Sequence, residues 1–65
     1  MFIVRKKPIE VHAVQMSTPG KCETAHGWIP FSPGDWIITD PKTDDSWPIR
    51  DEFFKDNYEV LRETI

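Results

Sequence analysis

The segment from Ser32 to Leu61, SPGDWIITDPKTDDSWPIRDEFFKDNYEVL, constrains the fold more than any other part of the chain. Ser32-Pro33-Gly34-Asp35 reads as a turn with a mechanism. Proline presets φ at the second position, and glycine supplies the positive φ that a type II turn requires. Trp36-Ile37-Ile38-Thr39 follows with high strand propensity, Trp36 and Ile38 on one face and Asp35, Ile37 and Thr39 on the other. Asp40–Asp45 is a polar hairpin tip, and Ser46-Trp47-Pro48-Ile49 is the returning strand. Arg50–Asn57 reads as one or two helical turns, with Asp51 and Glu52 at the positive end of the helix dipole and Asn57 closing the helix in a left-handed conformation. Tyr58–Leu61 reads as a last short strand ahead of a frayed end.

The first half of the chain is less regular. Phe2–Arg5 reads as a short strand or ordered arm, interrupted at Lys7-Pro8 because proline removes a ladder donor. In Ile9–Met16 the apolar residues Ile9, Val11 and Ala13 alternate with Glu10 and His12, the period of a half-buried strand. Val14 and Met16 have the opposite parity, which predicts cover on both faces or a bulge. Ser17-Thr18-Pro19-Gly20 is a breaker. Lys21–Ala25 reads as a single helical turn ended by Gly27, and Trp28–Phe31 as a short strand whose Pro30 suits a sheet edge. The expected fold is one mostly-β domain over residues 1–65. It holds roughly four or five short strands and one short helix between the last two, closed as a small twisted antiparallel sheet or a partly open barrel.

A chain of 65 residues has a thin margin of stability. Chains of this size usually add a disulfide, a metal or a partner subunit. Cys22 is the only cysteine, so no disulfide forms within the chain, and self-association is the staple left by elimination. One thiol and no signal peptide point to a reducing cytoplasm. No run approaches the roughly 20 apolar residues of a membrane span. The net charge of −3 argues against a nucleic-acid partner. The charge is uneven: Arg5, Lys6 and Lys7 are basic, while Asp40 to Glu63 holds eight acids against four bases.

The combination Lys6-Lys7-Pro8-Ile9, Pro33-Gly34-Asp35-Trp36-Ile37-Ile38-Thr39, Trp47-Pro48-Ile49, Phe54 and Tyr58-Glu59 resembles the small PGDYG-type proteins of bacteriophage and prophage genomes. The resemblance covers roughly residues 5–16 and 31–61. It implies a phage origin and a place of action inside an infected bacterial cell, and it supplies no catalytic residues. The chain departs from the pattern at Asp44-Asp45-Ser46, where those proteins often carry glycine. That departure bears on the turn type of the hairpin.

The residue inventory argues against an enzyme. Structural zinc wants four Cys or His ligands at paired spacings, and here His12, Cys22 and His26 are three with no CxxC. Cys22 and His26 as nucleophile and base lack a third, orienting group. Asp40, Asp44 and Asp45 lack the central glycine and terminal glutamate of a calcium loop and read as a solvated tip. No glycine-rich phosphate loop, nucleophile elbow or zinc-protease motif occurs, and no cofactor is implied. Of the three tryptophans, Trp36 and Trp47 are expected in the core. Trp47 beside Pro48, with Arg50 and the basic Arg5, Lys6 and Lys7, also has the makings of a platform for a base and its phosphates, or of an interface anchor.

Two functional readings follow. In the first the protein is a non-catalytic phage accessory protein that binds and inhibits a host anti-phage-defence protein through an aromatic and acidic surface. In the second it is a homo-oligomer that sequesters a small nucleotide signal, with Arg5, Lys6, Lys7, Trp47 and Arg50 around the ligand.

Overall fold

The structure, a computed structural model, describes residues 1–4 and 9–63. Among the described residues it is mostly β: five strands in two antiparallel sheets and one short helix, with no closed barrel. Strands β1 (His12–Gln15), β4 (Trp36–Thr39) and β5 (Ser46–Ile49) form one sheet in the order β1-β4-β5. Strands β2 (Gly20–Thr24) and β3 (Gly27–Phe31) form a separate hairpin that packs against β5. Helix α1 (Asp51–Asn57) follows β5.

The turns explain the strand order. Asp35 N–H donates to Ser32 C=O at 3.0 Å and Gly34 has φ +95°, the expected type II turn. That turn is tied to the end of β1, since Met16 N–H donates to Asp35 C=O at 2.8 Å and Gly34 N–H to Met16 C=O at 2.7 Å. Asp35 Oδ2 also accepts from Ser32 N–H at 2.9 Å. The Asp40–Asp45 tip joins β4 to β5 as expected, with Asp40 N–H donating to Asp45 C=O at 2.9 Å. Asp44 there takes φ +64°, so an aspartate occupies the left-handed position for which glycine is the unstrained choice.

Side-chain parity gives the three-stranded sheet two distinct faces. Across it, Gln15 pairs with Trp36 and Trp36 with Ile49; one step along, Ala13 pairs with Ile38 and Ile38 with Trp47. This face carries α1. Phe54 stacks on Trp36 with ring centroids 3.8 Å apart, and Tyr58 stacks on Phe54 at 5.5 Å. Trp36 Nε1–H donates to Asp51 Oδ1 at 2.8 Å. Ile38 is fully buried and Phe54 is 7% exposed. The opposite face, with His12, Val14, Ile37 and Thr39, looks toward the hairpin, from which Cys22 enters the space between the sheets.

Several expectations need correction. Lys21–Ala25 is not a helical turn, because residues 20–24 are a strand. Cys22 is buried between exposed Lys21 and Glu23, which is strand alternation. Gly27 does not end a helix; at φ +104° it closes the β2–β3 turn and opens β3. Tyr58–Leu61 forms no strand, so α1 follows the last strand rather than preceding one. Asn57 is not left-handed: the chain leaves α1 through Tyr58 in extended backbone, and the Asn57 Nδ2 group donates to Phe53 C=O at 3.0 Å. Phe2–Val4 form no strand, and the rest of that expected element, Arg5, lies outside the described residues. Among the described residues no helix is long and apolar enough to cross a membrane.

Candidate functional site

Two packed sheets of unequal width leave a wedge between them. The hairpin sits against β5, while β1 lies at the far edge of the wider sheet, so the space over β1 and β4 stays open. The result is a cleft of about 420 Å³. Its floor is Val14 and Ile37 with His12 and Thr39 beside them. Its walls are Met16 at the end of β1, Lys21 and Cys22 on β2, and Phe31 on β3. It is an open, mostly apolar depression with His12, Lys21 and Thr39 as its polar residues.

Each apolar residue reaches the cleft for a local reason. Val14 and Ile37 are register partners on the hairpin-facing side. Phe31 pairs with Gly20, and the ring lies so close over that glycine that a Cβ there would stand 2.7 Å from Phe31 Cζ. Gly20 therefore fixes the tilt of the Phe31 ring. Cys22 is 9% exposed, and burial pushes its thiol pKa above the ordinary value of 9.0. A thiol held protonated behaves as a small apolar wall group.

The cleft adjoins acid. Thr39 lines it, and the Asp40–Asp45 tip begins at the next residue. Thr39 and Ser46 hydroxyls bond each other at 2.8 Å across that end of the hairpin. Asp40 is held by the loop itself, its Oδ1 accepting from Lys42 N–H at 2.9 Å, while Asp44 and Asp45 are exposed. Among the described residues no group of three or more His, Cys, Asp or Glu side chains is arranged to hold a metal ion.

The residues singled out from sequence are distributed differently. Trp47 is half-buried on the helix-bearing face opposite Ile38. Arg50 follows β5 and lines a second, smaller cleft of about 340 Å³ with Ile29, Pro30, Ser32, Asp35, Pro48 and Ile49, and Trp47 is not part of that lining. Arg5, Lys6 and Lys7 lie outside the described residues. Trp36 is half-buried under α1, whereas Trp28 is 66% exposed on β3. Sequence reasoning missed the main cleft, although its signal was present: the opposite parity of Val14 and Met16 marked a second apolar face on β1.

No protein-family model, no curated protein and no solved structure matches this chain.

Proposed function

We propose that this protein is a non-catalytic binding protein of phage type that inhibits a host anti-phage-defence protein in the bacterial cytoplasm. The observation that carries the reading is the apolar cleft of Val14, Met16, Cys22, Phe31 and Ile37 lying beside the acidic Asp40–Asp45 tip. Such a pairing suits a partner surface that offers an apolar anchor side chain flanked by Lys or Arg. Burying the anchor supplies most of the affinity, and the acidic tip steers the encounter. Met16 adapts to an anchor at low cost, since its thioether is polarizable and its side chain flexible, and the Cys22 thiol is polarizable too.

The phage context comes from the sequence resemblance. The nucleotide-sequestering alternative has less support, since Trp47 does not line the cleft that Arg50 lines.

The test is phage plating on bacteria that carry single, defined defence systems, with and without expression of this protein. Plating on at least one defended strain rises at least tenfold when the protein is present. If plating is unchanged on every defended strain while the protein accumulates in folded form, the reading is wrong.

A further inference from the structure

The main cleft carries charge at both ends, with opposite signs. At one end Thr39 lines it and the next residue begins the Asp40–Asp45 tip, where Asp44 and Asp45 are exposed. Lys21, exposed on β2, lines it at the other end. The strand register separates the two. His12 is the ladder partner of Thr39, so β1 enters the cleft at the acidic end. Met16, where β1 leaves it, is bonded to the Pro33-Gly34 turn through Gly34 N–H and Asp35 C=O. Phe31 leads directly into that turn and pairs with Gly20, the neighbour of Lys21. Lys21 therefore belongs to the Met16 end.

Neither charge is met from within the fold. Among the described residues Lys21, Asp44 and Asp45 make no ion pair. Glu23, the other charged residue on that side of β2, does not line the cleft. Between the ends the lining is Val14, Cys22, Phe31 and Ile37. A complementary occupant carries a cation for the tip end, an apolar group for the middle and an anion for Lys21.

Spacing selects the backbone of that occupant. His12 to Met16 is four strand steps, roughly 13 Å. An extended chain covers this length in four residues, and its alternation puts positions i, i+2 and i+4 on one face. A helix needs about nine residues at a rise of ~1.5 Å, by which point the side chain has turned to the far side.

We propose that the cleft takes an extended segment of a partner protein in which an apolar residue is flanked, two positions to either side, by charges of opposite sign. The Lys or Arg lies at the acidic tip and the Asp or Glu at Lys21. This inference rests on the reading of the cleft as the binding surface and adds what the partner presents to it. The apolar residue supplies most of the affinity, and the two charges at the rim fix the register and direction of the segment. A segment whose flanking charges are alike meets repulsion at one end.

The test is selection of a displayed library of random nonapeptides on the immobilised full chain, as wild type, Lys21→Glu and Val14→Glu, each shown folded by near-ultraviolet circular dichroism. The wild type enriches peptides with opposite charges on either side of an apolar residue, and Val14→Glu enriches none of them. Lys21→Glu instead enriches peptides with basic residues on both sides. It binds the wild-type consensus peptide about fivefold more weakly at low salt, and the difference shrinks as salt is raised. Peptides that need Val14 but show no preference for opposite flanking charges overturn this inference and leave the cleft as the binding surface. So does a Lys21→Glu variant that keeps the wild-type preference. If no peptide is enriched in a Val14-dependent way the inference also falls, and plating on defended strains still decides the reading beneath it.

Discussion

Trp36 and Phe54 lie with ring centroids 3.8 Å apart and planes 9° from parallel, and this contact, with the Trp36–Asp51 hydrogen bond, fastens the helix to the sheet. Phe54 also stacks on Tyr58, so three rings bridge β4, α1 and the chain beyond it. Phe54→Ala costs about 3–5 kcal/mol, the usual range for removing a buried aromatic. A domain this small has about that much to lose. Chemical denaturation followed by tryptophan fluorescence should show a variant that is largely unfolded at 25 °C, with Phe54→Leu losing markedly less.

Asp51 gives the same region a pH dependence. Its carboxylate accepts from the Trp36 indole N–H, and next from Lys55 at 3.1 Å, and these bonds hold its pKa below the ordinary 3.8. A depressed folded-state pKa means the carboxylate stabilises the fold at all pH above the unfolded value. The contribution is lost as pH falls through 3.8 toward the lower folded value. Urea midpoints measured between pH 7 and pH 3 should fall at the acid end for the wild type. In Asp51→Asn that fall is smaller, and its midpoint at pH 7 is already lower.

Gly20 and Phe31 form a pair in which one residue is small because the other is large. Gly20→Ala places a methyl 2.7 Å from Phe31 Cζ and forces the ring to move. The expected loss is about 1–3 kcal/mol, as for other overpacked sites. In a Phe31→Leu background the same substitution should cost much less. A double-mutant cycle by urea denaturation reads the coupling directly.

At the β4–β5 tip, Asp44 holds φ +64°. Asp44→Val should lose about 1–2 kcal/mol, because a β-branched residue is strained in left-handed backbone. Asp44→Gly should fall within about 1 kcal/mol of the wild type, since relief of strain and the added freedom of the unfolded chain oppose each other. Thermal melts of the two variants decide whether the loop is built as described.

Much of this architecture was legible where punctuation was strong. The Pro33-Gly34 turn, the alternation of Trp36 and Ile38, the Asp40–Asp45 tip and β5 from Ser46 to Ile49 all stand where local chemistry put them. Strand β3 was legible at Trp28–Phe31, but β2 was not, because Lys21, Glu23 and Thr24 around Cys22 look like a polar turn and only packing shows which way Cys22 points. Tyr58–Leu61 looked like a strand from composition, yet the Tyr58 ring is used for stacking on Phe54 and the segment joins no ladder. The cleft was hidden for the same reason as β2. Its lining comes from β1, β2, β3 and β4, and only the parity of Val14 hinted at it.

The most direct test of the account compares two glutamates placed on exposed apolar residues, one inside the cleft and one outside. Val14 in the cleft is 61% exposed and Phe53 on the outer side of α1 is 52% exposed, so both variants should fold. The measurement is plating efficiency on a defended host that the wild type renders susceptible, at matched levels of folded protein. Val14→Glu should abolish the rise in plating and Phe53→Glu should retain it. Full retention by Val14→Glu, or equal loss in both variants, would contradict the assignment of the cleft as the binding surface.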